Sequence, residues 1–205
     1  MAMYAERVLP RIINVACGGK DLQALRRRAC SGLAGEVIEI GFGSGHNIPF
    51  YPAAVAQVTA IEPAGLGWEL AGKRLRASTV PVKWSGLDGQ DLPFPDGSFD
   101  AALSTWTLCT IPDVAAALDE VRRVLKPGGT LHFVEHGLAP DESVRRWQRR
   151  VEPVNKMVFG GCHITRPVVD LLTLAGFTIT EVDAFYQQGA PKFGGALSIG
   201  IAKAA

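Results

Sequence analysis

The sequence predicts an α/β fold, an open and doubly wound Rossmann-like sheet with helices on both faces. Three observations lead there. From residue 36 onward, apolar runs of about six residues alternate with stretches of helical period, the pattern of strands joined by crossing helices. The first of these runs empties into glycines at alternate positions, Gly41, Gly43 and Gly45, as a strand does where its backbone must turn sharply beside a ligand. Finally, 205 residues of which 47% are hydrophobic can bury one core but not two. The chain is therefore read as a single domain, 1–205, with residues 1–33 as an N-terminal helical cap and 34–205 as the sheet-bearing core.

Taken in order, residues 4–16 and 21–30 read as two short helices parted by Gly18 and Gly19, placed ahead of the sheet where they can cover its ligand edge as a lid. Strands are expected at 36–40, 57–61, 80–83, 99–104, 130–135, 178–184 and 197–202, each a short apolar run bounded by turn residues. A helix is expected to begin near His46, directly after the glycine turn. The clearest helix covers 112–126. There Val114, Ala117, Leu118, Val121 and Leu125 recur at helical spacing, Pro112 occupies the first turn, and Pro127, Gly128 and Gly129 form the stop. Across 141–151, Val144, Trp147 and Val151 share one face and the arginines take the other. The last helix, 166–174, runs up to Gly176, which suits a left-handed cap.

Charge and cysteine usage narrow the function classes. Lys+Arg 21 against Asp+Glu 20 leaves a net charge of +1, so no global field draws the chain to nucleic acid or to acidic lipid. The triplet Arg26, Arg27, Arg28 and the pairs Arg145–Arg146 and Arg149–Arg150 read as solvated helix faces. The uncharged stretch 40–61 has the length of a membrane span. Its glycines and prolines, with His46, Asn47 and Gln57, break a helix and place polar groups in lipid, so no integral membrane segment is expected. Glu6 and Arg7 interrupt the place where a signal peptide needs an apolar run, and a cytoplasmic location is expected. Cys17, Cys30, Cys109 and Cys162 lie far apart without a C-x-x-C, so reduced thiols are expected, with no disulfide framework and no metal centre.

The chemistry concentrates at residues 36–45, a buried strand running into a glycine turn. Glycines there remove Cβ atoms, and a following helix start offers unpaired N–H groups to a cofactor. An ordinary tight turn has the same spacing. A second feature adds to it: Glu62 closes the second strand twenty-one residues after Gly41, where a carboxylate can accept hydrogen bonds from both ribose hydroxyls of an adenosine cofactor. Nicotinamide-dependent oxidoreductases share that spacing, but their G-x-G-x-x-G aims a helix at a pyrophosphate. Here the third glycine falls one residue early and His46 follows it, which favours an adenosine cofactor without phosphates, namely S-adenosylmethionine.

Four stretches carry a family resemblance: 37–45 (Val-Ile-Glu-Ile-Gly-Phe-Gly-Ser-Gly), 59–63 (Thr-Ala-Ile-Glu-Pro), 88–100 (Asp-Gly-Gln-Asp-Leu-Pro-Phe-Pro-Asp-Gly-Ser-Phe-Asp) and 120–129 (Glu-Val-Arg-Arg-Val-Leu-Lys-Pro-Gly-Gly). In this order they resemble the class I S-adenosylmethionine-dependent methyltransferases, in the large group that includes the ubiquinone and menaquinone biosynthetic type. The resemblance implies a seven-stranded sheet with an antiparallel last hairpin. It also implies that Glu39, Gly41, Phe42, Gly43, Ser44 and Gly45 line the methionine end of the cofactor with Asn47 nearby. Glu62 holds the ribose with Pro63 beside it, Asp88 meets the adenine amino group, and the Gly89 backbone meets the ring. Ser104 and Thr105 approach the cofactor's amino group and sulfur. Gly89 and Gln90 replace the small residue and the acid common in the family. Glu39 also reads as a buried carboxylate satisfied by backbone, and Asp88 as a helix cap.

A closer resemblance covers residues 106–110 (Trp-Thr-Leu-Cys-Thr), Glu135 with His136, and 161–166 (Gly-Cys-His-Ile-Thr-Arg). These look like the corresponding stretches of the methyltransferase-like thiol S-methyltransferases of animal endoplasmic reticulum and their bacterial relatives, which implies a small thiol as methyl acceptor. An oxygen or carbon nucleophile on a phenolic or quinone-like metabolite is the next alternative. A nicotinamide-dependent oxidoreductase and a non-catalytic cofactor-binding protein remain from other classes. A thiol with a pKa of about 8.5 is only slightly ionised at neutral pH, so a base helps. His136, at the end of the fifth strand, is the first candidate and His163 the second, although either can merely order a loop. Tyr4, Trp106, Phe159 and Tyr186 are candidates for an apolar acceptor pocket, with 141–165 as an acceptor-side insertion.

Overall fold

The computed structural model describes residues 4–86 and 88–204. Seven strands form one sheet in the order β3-β2-β1-β4-β5-β7-β6. They are β1 (Gly35–Ile40), β2 (Val55–Ile61), β3 (Val82–Ser85), β4 (Phe99–Thr105), β5 (Leu125–His136), β6 (Phe177–Tyr186) and β7 (Ala196–Ala204). The central strands pair in parallel, whereas β7 runs antiparallel to both β5 and β6. Parallel strands covered on both faces carry continuous apolar runs, and the last four residues of β1, Val37 to Ile40, are all buried.

The strand pleat distributes these side chains between two cores. Ile38, Ile40, Ile61, Leu118, Phe133 and Leu172 pack on one face, under helices α4 (Val114–Val124) and α6 (Val168–Leu174). On the other face Val37, Phe42, Val58, Leu103 and Val134 pack with Ala29 of α2 (Lys20–Cys30) and Ala71 of α3 (Gly65–Arg76). A short π-helical turn, Tyr4–Val8, leads into α1 (Leu9–Ala16), and α5 (Glu142–Val158) follows β5. Among the described residues, no helix is long and apolar enough to cross a membrane.

Four elements depart from the sequence expectation. No helix begins at His46; the chain makes a single 3-10 turn, Ile48–Phe50, because Pro49 and Pro52 deny the backbone donors that a longer helix needs. The helix flanking the turn is instead α3, which its sequence does not announce because Gly65, Gly67 and Gly72 lower its helical propensity. Pro127, Gly128 and Gly129 do not lie between a helix and a strand. Helix α4 ends at Val124, and β5 already begins at Leu125 and carries these residues through an irregular register, in which Leu125 faces Phe99 and Thr130 faces Ala101. Helix α5 continues past Pro153 to Val158, well beyond 151, its far end held by Asn155 Nδ2 donating to Cys162 O and Tyr4 Oη donating to Val158 O.

Candidate active site

At the carboxyl ends of β1, β2 and β4, the glycine turn is shaped by close approaches. Gly41, Gly43 and Gly45 all adopt positive φ (71°, 57° and 73°). A Cβ on Gly41 would lie 2.1 Å from Thr107 Oγ1, and one on Gly67 of α3 would lie 2.8 Å from Gly43 O. The turn is thus pressed between α3 and the loop after β4. Space opens at Gly43, where a built Cβ meets only its own turn at 4.0 Å. Glu62 closes the arrangement: Oε2 accepts from Gly43 N at 2.7 Å and Oε1 from Ala64 N at 2.9 Å.

A cavity of about 560 Å³ lies against this turn, within the size range of small-molecule sites. Gly41, Phe42, Gly43, Ser44, Glu62, Pro63, Asp88, Gly89, Thr105 and Trp106 line it, so ten of the residues singled out by sequence share one space. Leu9, Pro10, Ile13 and Cys17 from the N-terminal segment cover it, facing Ile111 and Gly160. Helix α1 is fastened there by Ser44 Oγ donating to Asn14 Oδ1 (2.7 Å) and by His46 Nε2 at 3.0 Å from Asn14 O. Burial, with Arg74 and Arg26 nearby, holds the His46 imidazole down at about 4, so the ring is neutral at neutral pH and donates to that carbonyl.

Beneath the cavity is a buried polar network. Asn47 Nδ2 donates to Glu39 Oε1 and to Thr105 Oγ1, both at 3.0 Å, and Tyr51 Oη donates to the other Glu39 oxygen. Burial lifts Glu39 to about 7 against these donors. Glu39, Gly45, Asn47 and Ser104 therefore support the site from below and do not line it.

The Arg26 guanidinium completes the network and corrects the reading of the arginine triplet as a solvated face. Arg26 is 5% exposed and lines the cavity; Nη1 donates to Asn47 Oδ1 (2.8 Å) and Thr105 Oγ1 (3.1 Å), Nη2 to Cys17 O (3.1 Å), and Nε has no partner. It lies 4.7 Å over the ring of Trp106, whose φ of 54° is the one left-handed non-glycine conformation among the described residues. Only Arg27 and Arg28 face outward, Arg27 over Phe50 and Arg28 paired with Asp183. Residue type alone does not distinguish these three positions.

Among the lining candidates, Asp88 is exposed and accepts from Gln90 N and Nε2. The remaining candidates sit elsewhere. Tyr4 is tied to the end of α5, Tyr186 Oη donates to Asp141 Oδ2 at 2.8 Å, and Phe159 is 39% exposed; of the four acceptor-pocket candidates only Trp106 lines the cavity. His163 lies 3.5 Å from Glu152, and its N–H donates to Cys109 O. His136 does not line the cavity; its Nδ1 stands 3.8 Å from Cys109 Sγ and 3.7 Å from Cys162 Sγ. The cysteines that are scattered in sequence are thus partly gathered by the fold. The neighbouring Glu135 is fully buried and accepts from Ser104 Oγ and from the N–H groups of Thr107, Leu108 and Cys109, which fixes the loop after β4.

The residues present fit S-adenosylmethionine: a glycine turn with room at Gly43, a carboxylate at the end of β2, and a buried guanidinium with a free donor. Comparison with known proteins agrees. A family model described as "Methyltransferase domain" matches residues 38–133. The thiol S-methyltransferase TMT1B of Homo sapiens is 34% identical over 164 residues, 76% of this chain and 66% of that protein. The demethylmenaquinone methyltransferase of Clavibacter sepedonicus is 35% identical over 120 residues, 58% of this chain and 49% of that protein. A solved SAM-dependent methyltransferase from Thermotoga maritima, described as a possible histamine N-methyltransferase, superposes with a TM-score of 0.68 at 22% identity, covering 98% of this chain and 99% of that one. The chain spans 59 to 66% of the length of the thiol S-methyltransferases of rat and human that it matches.

Proposed function

Because the chain belongs to the class I S-adenosylmethionine-dependent methyltransferases, we propose that it transfers a methyl group from that cofactor to the sulfur of a small, largely apolar thiol. When bound, the cofactor supplies a methyl group already activated on a sulfonium. What the protein adds is position and exclusion of water. In this reading Glu62 exchanges its turn contacts for the ribose hydroxyls, the Gly41–Ser44 backbone follows the amino-acid portion, and the positive charge of Arg26, a residue that lines the cavity, faces its carboxylate. Asp88 and the Gly89 backbone meet the adenine. Leu9, Pro10 and Ile13 close the acceptor side against Ile111.

The observation that carries the choice of thiol is the lack of a poised base among the described residues lining the cavity. His46 is held neutral with its pKa at about 4 and Nε2 committed to Asn14, burial pushes the Cys17 thiol up, Glu62 is engaged by backbone N–H groups, and Asp88 accepts from Gln90 N and Nε2. An acceptor must then ionise largely by itself. A thiol, with a pKa of about 8.5, does so more readily than a phenol at about 10. The thiol S-methyltransferases of rat and human among its relatives support the same choice. A second reading, methylation of a quinone-derived ring, is favoured by the apolar cover and by the demethylmenaquinone and 2-phytyl-1,4-naphtoquinone methyltransferase relatives.

A competition assay separates them. Matched apolar thiols, phenols and quinols are offered together with methyl-labelled cofactor; the thioether is expected to dominate. Label found only on the quinol supports the second reading. No labelled product, with S-adenosylhomocysteine still bound, reduces the chain to a cofactor-binding protein.

A further inference from the structure

Three side chains that do not line the cavity come together: Cys109 from the loop after β4, His136 from the end of β5, and Cys162 from the turn after α5. We propose that Cys109, His136 and Cys162 form a binding site for a thiophilic divalent cation of the zinc class, with one coordination position open. This stands independently of which acceptor is methylated.

The geometry is that of a convergent donor set. The sulfurs lie 3.5 Å apart, and His136 Nδ1 lies 3.8 Å from one and 3.7 Å from the other. A tetrahedral ion with bonds of about 2.3 Å to sulfur and 2.0–2.1 Å to nitrogen requires sulfur–sulfur and sulfur–nitrogen separations of about 3.8 and 3.6 Å. The observed triangle agrees within about 0.3 Å of that. Two thiols in mutual contact account for one side only. Nδ1 carries a single lone pair, yet it faces both sulfurs nearly equally, which a point between the three atoms explains and a hydrogen bond to one thiol does not.

Burial and charge specify the ion. Cys109 and Cys162 are 0% and 4% exposed, and His136, half-buried, offers the approach. Two thiolates and a neutral imidazole around a divalent cation sum to zero charge, whereas a univalent ion would leave a net negative site beside the buried Glu135. Glu135 already accepts four hydrogen bonds, so it orders the Cys109 loop and is not itself a ligand. Sulfur and imidazole donors select zinc-like ions over magnesium or calcium. Each ion bound displaces the remaining thiol protons to solvent. The loops are held ready: Asn155 Nδ2 donates to Cys162 O at 2.8 Å, and His163 N donates to Cys109 O at 2.8 Å.

The test uses the full chain, reduced with a phosphine and stripped by chelation, then titrated with Co²⁺ as an optical probe. Expected are a thiolate-to-cobalt charge-transfer band and tetrahedral ligand-field bands that saturate at a single ion per chain and are bleached by Zn²⁺. Cys109→Ser, Cys162→Ser and His136→Ala should each weaken binding at least about tenfold. Since these variants can lose stability, protection of the wild-type Cys109 and Cys162 from alkylation by Zn²⁺, located by peptide mass, gives an independent reading. Absence of the charge-transfer band in folded wild type overturns the proposal. So does a band that survives both serine substitutions, or a pair recovered as a disulfide that takes up no Co²⁺ after reduction.

Discussion

Gly41 shows how narrowly the site is specified at single residues. Its φ of 71° and the 2.1 Å approach of a built Cβ to Thr107 Oγ1 leave no room for a side chain. Gly41→Ala is expected to cost about 2–4 kcal/mol, from left-handed backbone strain and overpacking together. Denaturant unfolding measures it, and the double variant Gly41→Ala/Thr107→Ala should recover the overpacking part while the backbone part persists. Arg26→Ala removes a charged side chain that lines the cavity, so S-adenosylhomocysteine should bind about 10- to 100-fold more weakly by calorimetry, in line with about 1.5–3 kcal/mol for a charged hydrogen bond. Unchanged affinity would remove Arg26 from the carboxylate role.

Among the elements, α5 is tied to several of the loops around it through one buried side chain. Gln148, fully buried in α5, donates through Nε2 to the carbonyls of Gly137 and Ile164, with Phe193 O at 3.3 Å from the same nitrogen, while its Oε1 accepts from Ala139 N. Gln148→Ala orphans several buried backbone groups and is expected to cost about 3 kcal/mol. Hydrogen exchange should speed up at Ala139 while the amides of β1 stay protected; uniform acceleration would mean that the pin is global instead. The same scale shows what sequence could reveal. The strands of the sheet and the glycine turn with Glu62 were legible because short apolar runs and fixed spacings are local signals. Helix α3 was hidden because its Gly67, needed for contact with Gly43 O, reads as a breaker. The inward turn of Arg26, and the meeting of Cys109, His136 and Cys162 across separations of 26 to 53 residues, depend on tertiary placement that no local pattern encodes.

Across the whole molecule, the polar network under the cavity links stability to pH. Glu39 is lifted by burial to about 7, so its contribution is full below its unfolded value of about 4.5 and is lost as pH rises towards 7. His46, held at about 4, acts in the opposite sense, its contribution growing as pH rises from about 4 to about 6.5. The difference between wild type and Glu39→Gln isolates the first effect: relative to the variant, wild type should lose roughly 3 kcal/mol between pH 4.5 and 7.5. Parallel stability profiles would show that Glu39 does not titrate there. Activity should follow the acceptor's own ionisation, so that the inflection in kcat/KM moves when a thiol of lower pKa is used; an inflection fixed for all thiols would reveal a protein base. The central claim, that cofactor and thiol meet in the cavity beside the glycine turn, is tested most directly by following an isotopically labelled methyl group from S-adenosylmethionine into an apolar thiol with wild type and Glu62→Ala. Labelled thioether is expected from wild type, with cofactor affinity weakened by about 1–3 kcal/mol in the variant. Absence of labelled thioether, or equal cofactor affinity in both proteins, would contradict it.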